Sequence, residues 1–118
     1  MSKWVWHKIA AQESDLLLHK NNLLEIEVAG KRVCIAKHNH QLLACAATCP
    51  HAGATMANGY VDALGNIVCP LHQYKFNLRT GKNVTGEGYF LKRFLVETRP
   101  DGVFIGFEEK KCLFSVKK

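Results

Sequence analysis

Short apolar runs separated by turn residues dominate this chain, and no long helical periodicity is present. Runs of this length, rich in Val, Ile, Leu and Phe, are typical of an all-β domain. We expect strands at residues 4–9, 24–28, 32–36, 42–46, 90–98 and 103–107. The leucines at 16–18 are ambiguous and also fit a turn of helix.

The sequence predicts two tight turns between these runs. Ala29-Gly30-Lys31 predicts a hairpin, because Gly accepts the positive φ that two-residue connections need. Pro100-Asp101-Gly102 predicts a second turn, since Pro presets φ and Asp bonds its own backbone. Between the outer strands, residues 45–84 are richer in Gly, Pro, Cys and His, and they form an insertion that holds the candidate chemistry.

Length and charge narrow the class of protein. The 118 residues fit a single domain, 1–118. No apolar run approaches the roughly 18 residues of a membrane span, and the N-terminus lacks the apolar core of a signal peptide, so a cytoplasmic protein is expected. The 16 basic and 10 acidic residues give a formal net charge of +6, but no basic run carries interleaved aromatics, so nucleic acid is not an expected partner.

Five cysteines without a secretion signal argue against a disulfide framework. Cys34 and Cys45 fall on predicted strands, and we interpret them as core residues. Cys112, near the end of the chain, has no assigned role. Surface or hydrogen-bonding roles are expected for the histidines outside any ligand spacing, His7, His19, His38 and His40.

One local pattern occurs twice inside the insertion, as Thr-Cys-Pro-His-Ala-Gly at 48–53 and Val-Cys-Pro-Leu-His-Gln at 68–73. Each copy supplies one thiolate and one imidazole, and Pro stiffens the loop. The candidate ligands are Cys49, His51, Cys69 and His72. A structural zinc held by two Cys and two His is an open alternative, although zinc fingers pair like ligands at wider spacing.

The stretch 49–81 resembles the Rieske family, whose motif is Cys-x-His followed, after a spacer, by Cys-x-x-His. Gly53, Met56 and the segments 59–62 and 76–81 continue the resemblance. It implies antiparallel sheets in a Rieske-type fold, with 45–84 as a cluster-binding subdomain between base-domain strands. It also implies one [2Fe–2S] cluster, with Cys49 and Cys69 on one iron and His51 and His72 on the other, the latter near solvent at the tip.

Departures from the family pattern narrow the subtype. Ala54 and Leu71 stand where the Rieske proteins of cytochrome bc complexes have two bridging cysteines, so that disulfide cannot form. Tyr74 and Phe76 stand where those proteins have a Ser and a Tyr whose hydroxyls bond sulfur. Fewer donors imply a low potential, roughly −150 to −50 mV. Gln73 stands where the family has Gly, and a positive φ there would cost about 1 kcal/mol.

The resemblance implies a one-electron carrier that passes electrons from a reductase to a terminal oxygenase. The chain is not expected to be the oxygenase, because no His follows Gly81 to build its iron site. The alternative is a small subunit of a nitrite reductase-type complex. The expected docking tip carries the two histidines, ringed by Ala52, Met56, Leu71 and either Tyr89 or Phe90. An acidic partner surface is predicted from five basic residues of the same half of the chain, Lys75, Arg79, Lys82, Lys92 and Arg93.

Overall fold

Two antiparallel sheets build the protein, which confirms the all-β prediction. The computed structural model describes residues 2–50 and 53–110. The strands are β1 (Ser2–Ala10), β2 (Leu23–Val28), β3 (Lys31–His38), β4 (Gln41–Ala46), β5 (Tyr60–Val61), β6 (Asn66–Val68), β7 (Lys75–Asn77), β8 (Arg93–Arg99) and β9 (Gly102–Lys110). Single 3-10 turns occur at Glu13–Asp15 and Met56–Asn58.

The larger sheet has six strands in the order β1-β9-β8-β4-β3-β2. Its two halves meet where β4 pairs with β8, through Ala44 with Phe94 and Cys45 with Arg93 only. The Ala46 N–H continues this contact by donating to the Lys92 carbonyl at 2.8 Å. One face of the sheet buries an apolar cluster drawn from both halves, including Val33, Ile35, Phe94, Val103 and Ile105.

Both hairpins in the first half of the sheet use two-residue turns with positive φ. Ala29 and Gly30 have φ of 51° and 81°, and Asn39 and His40 have φ of 50° and 64°. These angles match the right-handed twist of the flanking strands. The hairpin predicted across 29–31 is therefore confirmed.

The predicted start of one strand is wrong, and the stretch left ambiguous at residues 16–18 is not helical. β8 begins at Arg93 rather than at residue 90, because Phe90 and Leu91 lie against another segment: Phe90 bridges to Lys82, and the Leu91 N–H donates to the Gly81 carbonyl at 2.8 Å. Residues 16–18 form no helix, and the 3-10 turn lies just before them.

The smaller sheet, β5-β6-β7, lies within the predicted insertion and packs on the larger one. The side-chain amide of Asn21 donates to the carbonyls of Ala57 and Gly59, each at 2.9 Å. His38 Nε2 lies 3.1 Å from the Ala63 carbonyl oxygen. These contacts fix the small sheet to β3 and to the chain before β2. A second buried cluster fills the space between, with apolar side chains and four thiols: Leu23, Met56, Ile67, Phe76, Leu78, Leu91, Cys34, Cys45, Cys49 and Cys69.

Within the part of the chain that the structure describes, no helix is long and apolar enough to cross a membrane.

Candidate metal centre

The two Cys-Pro loops close in the same way, as their repeated sequence suggests. The N–H of Cys49 donates to the carbonyl of Ala54 at 2.8 Å, and the N–H of Cys69 donates to the carbonyl of Tyr74 at 2.8 Å. Each bond spans five residues and places the cysteine at the base of its loop. In the first loop Gly53 takes φ +72° and its N–H donates back to the Cys49 carbonyl at 2.9 Å. A local sequence repeat thus becomes a pair of matching loops.

The thiols of Cys49 and Cys69 meet at the base of these loops, and both are buried. Burial raises the pKa of the Cys69 thiol, and the hydrogen bond with the Cys49 thiol raises it further. The N–H of Leu71, 3.4 Å from Cys69 Sγ, acts in the opposite direction because it favours the thiolate. Two predicted sulfur ligands therefore lie together on a dry side, and a bound metal would displace their protons.

His72 lies on the exposed side of the second loop, at φ +61°. Its ring centroid is 6.3 Å from that of Tyr74, which is in turn 6.1 Å from that of Tyr89. His51, with Ala52, lies outside the described residues. The structure thus brings the predicted ligands Cys49 and Cys69 into contact and places His72 on the same loop as Cys69. The position of His51 is not described.

This donor set fits a two-iron cluster. Buried thiolates are soft ligands that suit iron–sulfur centres, and the imidazole ligands of such a cluster sit on the other iron. In residues 2–50 and 53–110 no three His, Cys, Asp or Glu side chains converge closely enough to hold one ion. Ligands divided between two irons are compatible with that spacing.

Gln73 has the backbone conformation that the sequence left open. Its φ is +57°, directly after His72, in the region where a Cβ is strained. The second loop therefore holds two consecutive non-glycine residues in the left-handed region.

We expect Gln73→Gly to stabilise the protein by about 0.5 kcal/mol, because the release of roughly 1 kcal/mol of strain exceeds the added entropy of the unfolded glycine. Gln12→Gly is the matched control, since exposed Gln12 has φ −152° and gains nothing from glycine. Urea unfolding followed by circular dichroism measures both changes. If Gln73→Gly lost as much stability as Gln12→Gly, the backbone of Gln73 would not be strained and the prediction would be wrong.

Met56 does not line the tip, contrary to the sequence prediction. Its N–H donates to the Ala47 carbonyl at 2.8 Å, and this bond holds the 3-10 turn over the core. The Met56 side chain is therefore fully buried. The other apolar residues predicted for the tip are exposed where described: Leu71 at 46%, Tyr89 at 39% and Phe90 at 66%.

The interpretation of Cys34 and Cys45 as core residues is confirmed. They face each other across β3 and β4, and both are buried. A hydrogen bond from the Cys34 thiol, together with burial, raises the pKa of Cys45 well above its usual range. Both are buried packing groups, whereas Cys112 lies outside the described residues.

Asn83 supports the site and was not singled out from the sequence. Its buried side chain accepts from the N–H groups of Glu87 and Gly88 and donates to the Lys75 carbonyl at 3.1 Å. This network shapes the loop that delivers Tyr89 to Tyr74. The available signal was an Asn opening a glycine-rich turn, Asn-Val-Thr-Gly-Glu-Gly.

Comparison with known proteins agrees with this geometry. Residues 5–89 match the sequence model of the Rieske [2Fe-2S] domain. The ferredoxin component of the naphthalene 1,2-dioxygenase system of Pseudomonas putida is 34% identical over 80 residues, which are 68% of this chain and 71% of that protein.

Solved structures agree as well. The complex of reduced oxygenase and oxidised ferredoxin in carbazole 1,9a-dioxygenase contains a chain that is 26% identical, with a TM-score of 0.71 over 85% of this chain and 91% of that chain. A protein named for an NADH-dependent nitrite reductase small subunit, from Mycobacterium tuberculosis, shares the fold with a TM-score of 0.76 over 89% of this chain and 96% of that chain, at 17% identity.

The family match, which covers most of the chain, decides between iron–sulfur and the zinc alternative. The loops, the paired thiols and this match lead to one conclusion: the chain belongs to the Rieske [2Fe–2S] domain family and carries one [2Fe–2S] cluster.

Proposed function

We propose that this chain is a one-electron carrier, the ferredoxin of an oxygenase system, and that Cys49, His51, Cys69 and His72 hold its cluster. The observation that carries the proposal is the pair of buried thiols in contact beneath a loop that exposes His72. When bound, a [2Fe–2S] cluster takes up and returns one electron, and two imidazoles in place of two thiolates raise its potential.

The protein supplies a dry side and a wet side to this centre. Buried Phe76 belongs to the same apolar cluster as Cys49 and Cys69, and this cluster excludes water from the sulfur ligands. The Leu71 N–H supplies a hydrogen bond to Cys69 sulfur. Exposed His72 then offers the shortest way out to a partner, since the thiols lie beneath it.

The relative from the naphthalene 1,2-dioxygenase system supports a carrier rather than an enzyme, because it is named as a ferredoxin component. By this analogy the partners are a reductase that donates the electron and a terminal oxygenase that receives it. The same proposal places the chain in the cytoplasm, as one Rieske domain, 1–118, with residues 45–84 as its cluster-binding subdomain.

Reconstitution tests this role. The reductase and oxygenase encoded nearest to this chain would be purified and mixed with NADH, dissolved oxygen and an aromatic probe substrate such as naphthalene, with and without the holoprotein. We expect oxygenated product only when the holoprotein is present, and none when Cys69→Ser replaces it. Product formation that does not depend on the holoprotein would contradict the proposal.

The alternative is a small subunit of a nitrite reductase-type complex. Its structural support is a shared fold at 17% identity, which carries no function. Purification of the native chain separates the two roles. A free carrier would elute from a size-exclusion column without a large subunit. Elution in a stable complex with a sirohaem protein would instead support the nitrite reductase role and contradict the oxygenase role.

A further inference from the structure

Four basic side chains lie on two adjacent segments that the electron-carrier role does not account for. Residues 79–82 run beside residues 90–93: Phe90 bridges to Lys82, Leu91 bonds Gly81, and the Arg93 guanidinium donates to the Arg79 carbonyl. Gly81 allows this approach, because a Cβ there would lie 2.2 Å from the Leu91 carbonyl oxygen. We call this set the basic strip: Arg79, Lys82, Lys92 and Arg93.

No described carboxylate within this protein neutralises the positive charge of the basic strip. Neither segment contains a carboxylate, and no described carboxylate forms an ion pair with any of the four residues. The acidic residues nearest in sequence are engaged elsewhere: Glu97 pairs with Arg99 at 2.8 Å, and Glu87 accepts from the Thr85 hydroxyl. Lys75, predicted to act with them, instead lies 3.7 Å from Asp62 and is not part of the strip.

The strip extends from the redox end of the molecule to a cavity in the large sheet. At one end, Phe90 follows Tyr89, whose ring contacts Tyr74 beside His72. At the other end, Arg79 and Arg93 line a cavity of about 240 Å³ together with residues of β4 and β8. Arg79 is exposed and donates one described side-chain hydrogen bond, to Gln41 Oε1 at 2.5 Å, out of the five N–H donors of its guanidinium.

We propose that the basic strip is the docking surface for an acidic face of the redox partner, with Phe90 as its apolar anchor. The inference rests on the proposed carrier function and adds the chemistry of the partner. Guanidinium groups bind carboxylates through paired hydrogen bonds, and an unneutralised row of cations steers an anionic partner at long range. Phe90 follows Tyr89, whose ring stands one aromatic ring away from His72, so a partner that covers the strip and Phe90 approaches the side of the molecule that carries the ligand loop.

Charge reversal on the strip provides the test. Lys82→Glu/Lys92→Glu removes two exposed lysines that make no described side-chain contact. Lys8→Glu/Lys20→Glu, with one exposed lysine on β1 and one just before β2, changes the net charge by the same amount outside the strip. Each reduced holoprotein would be oxidised in a stopped-flow instrument by ferric EDTA, an anion, and separately by hexaammineruthenium(III), a cation.

At low ionic strength we expect the strip variant to react with ferric EDTA on the order of tenfold more slowly than wild type, and the control to change far less. The cationic oxidant should show the opposite trend, and salt should remove both effects. Equal rates for the strip variant and the control would overturn the inference. A wild type that cannot be reduced or reoxidised at all would instead contradict the carrier role.

A labelled peptide of ten glutamates tests the chemistry of the partner directly. Fluorescence anisotropy should show binding to the wild-type holoprotein that the strip variant loses and the control keeps. Phosphatidylserine vesicles and single-stranded DNA serve as parallel probes. Strip-dependent binding of either one, without binding of the glutamate peptide, would overturn the assignment to an acidic protein.

Discussion

Replacing Cys69 with Ser is expected to abolish the native cluster, and so is Cys49→Ser, His51→Ala or His72→Ala. The two thiols share one buried site, so loss of either leaves the remaining sulfur without its pair. The second loop carries no other histidine that could replace His72 as an imidazole ligand. Iron and labile sulfide, measured on anaerobically purified protein, should fall from about two of each per chain to near zero.

Cys45→Ala is the matched control for this series. Cys45 is as buried as Cys49 and lies four residues before it, but it faces Cys34 across the sheet. The control should keep its iron, although it loses some packing. A full cluster in Cys69→Ser or His72→Ala would contradict the ligand set, as would one zinc and no sulfide in the wild type.

The reduction potential is expected at the low end of the Rieske range, roughly −150 to −50 mV. Phe76 is fully buried in the apolar cluster that contains both ligand thiols, and it carries no hydroxyl. Leu71 and Ala54 exclude a disulfide between the loops. Protein-film voltammetry measures the value directly, and a potential above about +150 mV would refute the argument from missing donors.

Phe76→Tyr is expected to raise that potential by about 20–60 mV. A hydrogen bond of about 0.5–1.5 kcal/mol to ligand sulfur stabilises the reduced form, and about 59 mV corresponds to 1.4 kcal/mol for one electron. Phe94→Tyr, in the other apolar cluster, is the control and should leave the potential unchanged. A lower potential in Phe76→Tyr than in wild type would contradict the proposed direction.

Local signals in the sequence predicted most of the sheet. Gly30 marked the hairpin between β2 and β3, and the alternation of Cys34 and Cys45 placed both on the buried face. The repeated Cys-Pro pattern predicted two loops, and both close with the same hydrogen bond. Each of these features depends on neighbours within a few residues, which is why the pattern was sufficient.

Features set by long-range packing could not be read from the sequence. Met56 resembled a surface residue beside the tip, but its backbone bond to Ala47 turns it into the core. The run beginning at Phe90 resembled a strand throughout, yet its start pairs with residues 81–82. The sequence predicted the basic residues as a group, but the separation of Lys75 from the other four depends on the side-by-side pairing of two segments and on the Lys75–Asp62 contact.

Pulsed EPR of the reduced holoprotein, prepared with and without ¹⁵N-labelled histidine, tests whether two histidines hold the cluster. We expect a [2Fe–2S] signal coupled to two histidine nitrogens, with the coupling changed by the label and the signal absent in His72→Ala. A cluster signal without histidine coupling would mean that thiolates or other groups hold both irons, and it would contradict the Rieske-type centre proposed for this chain.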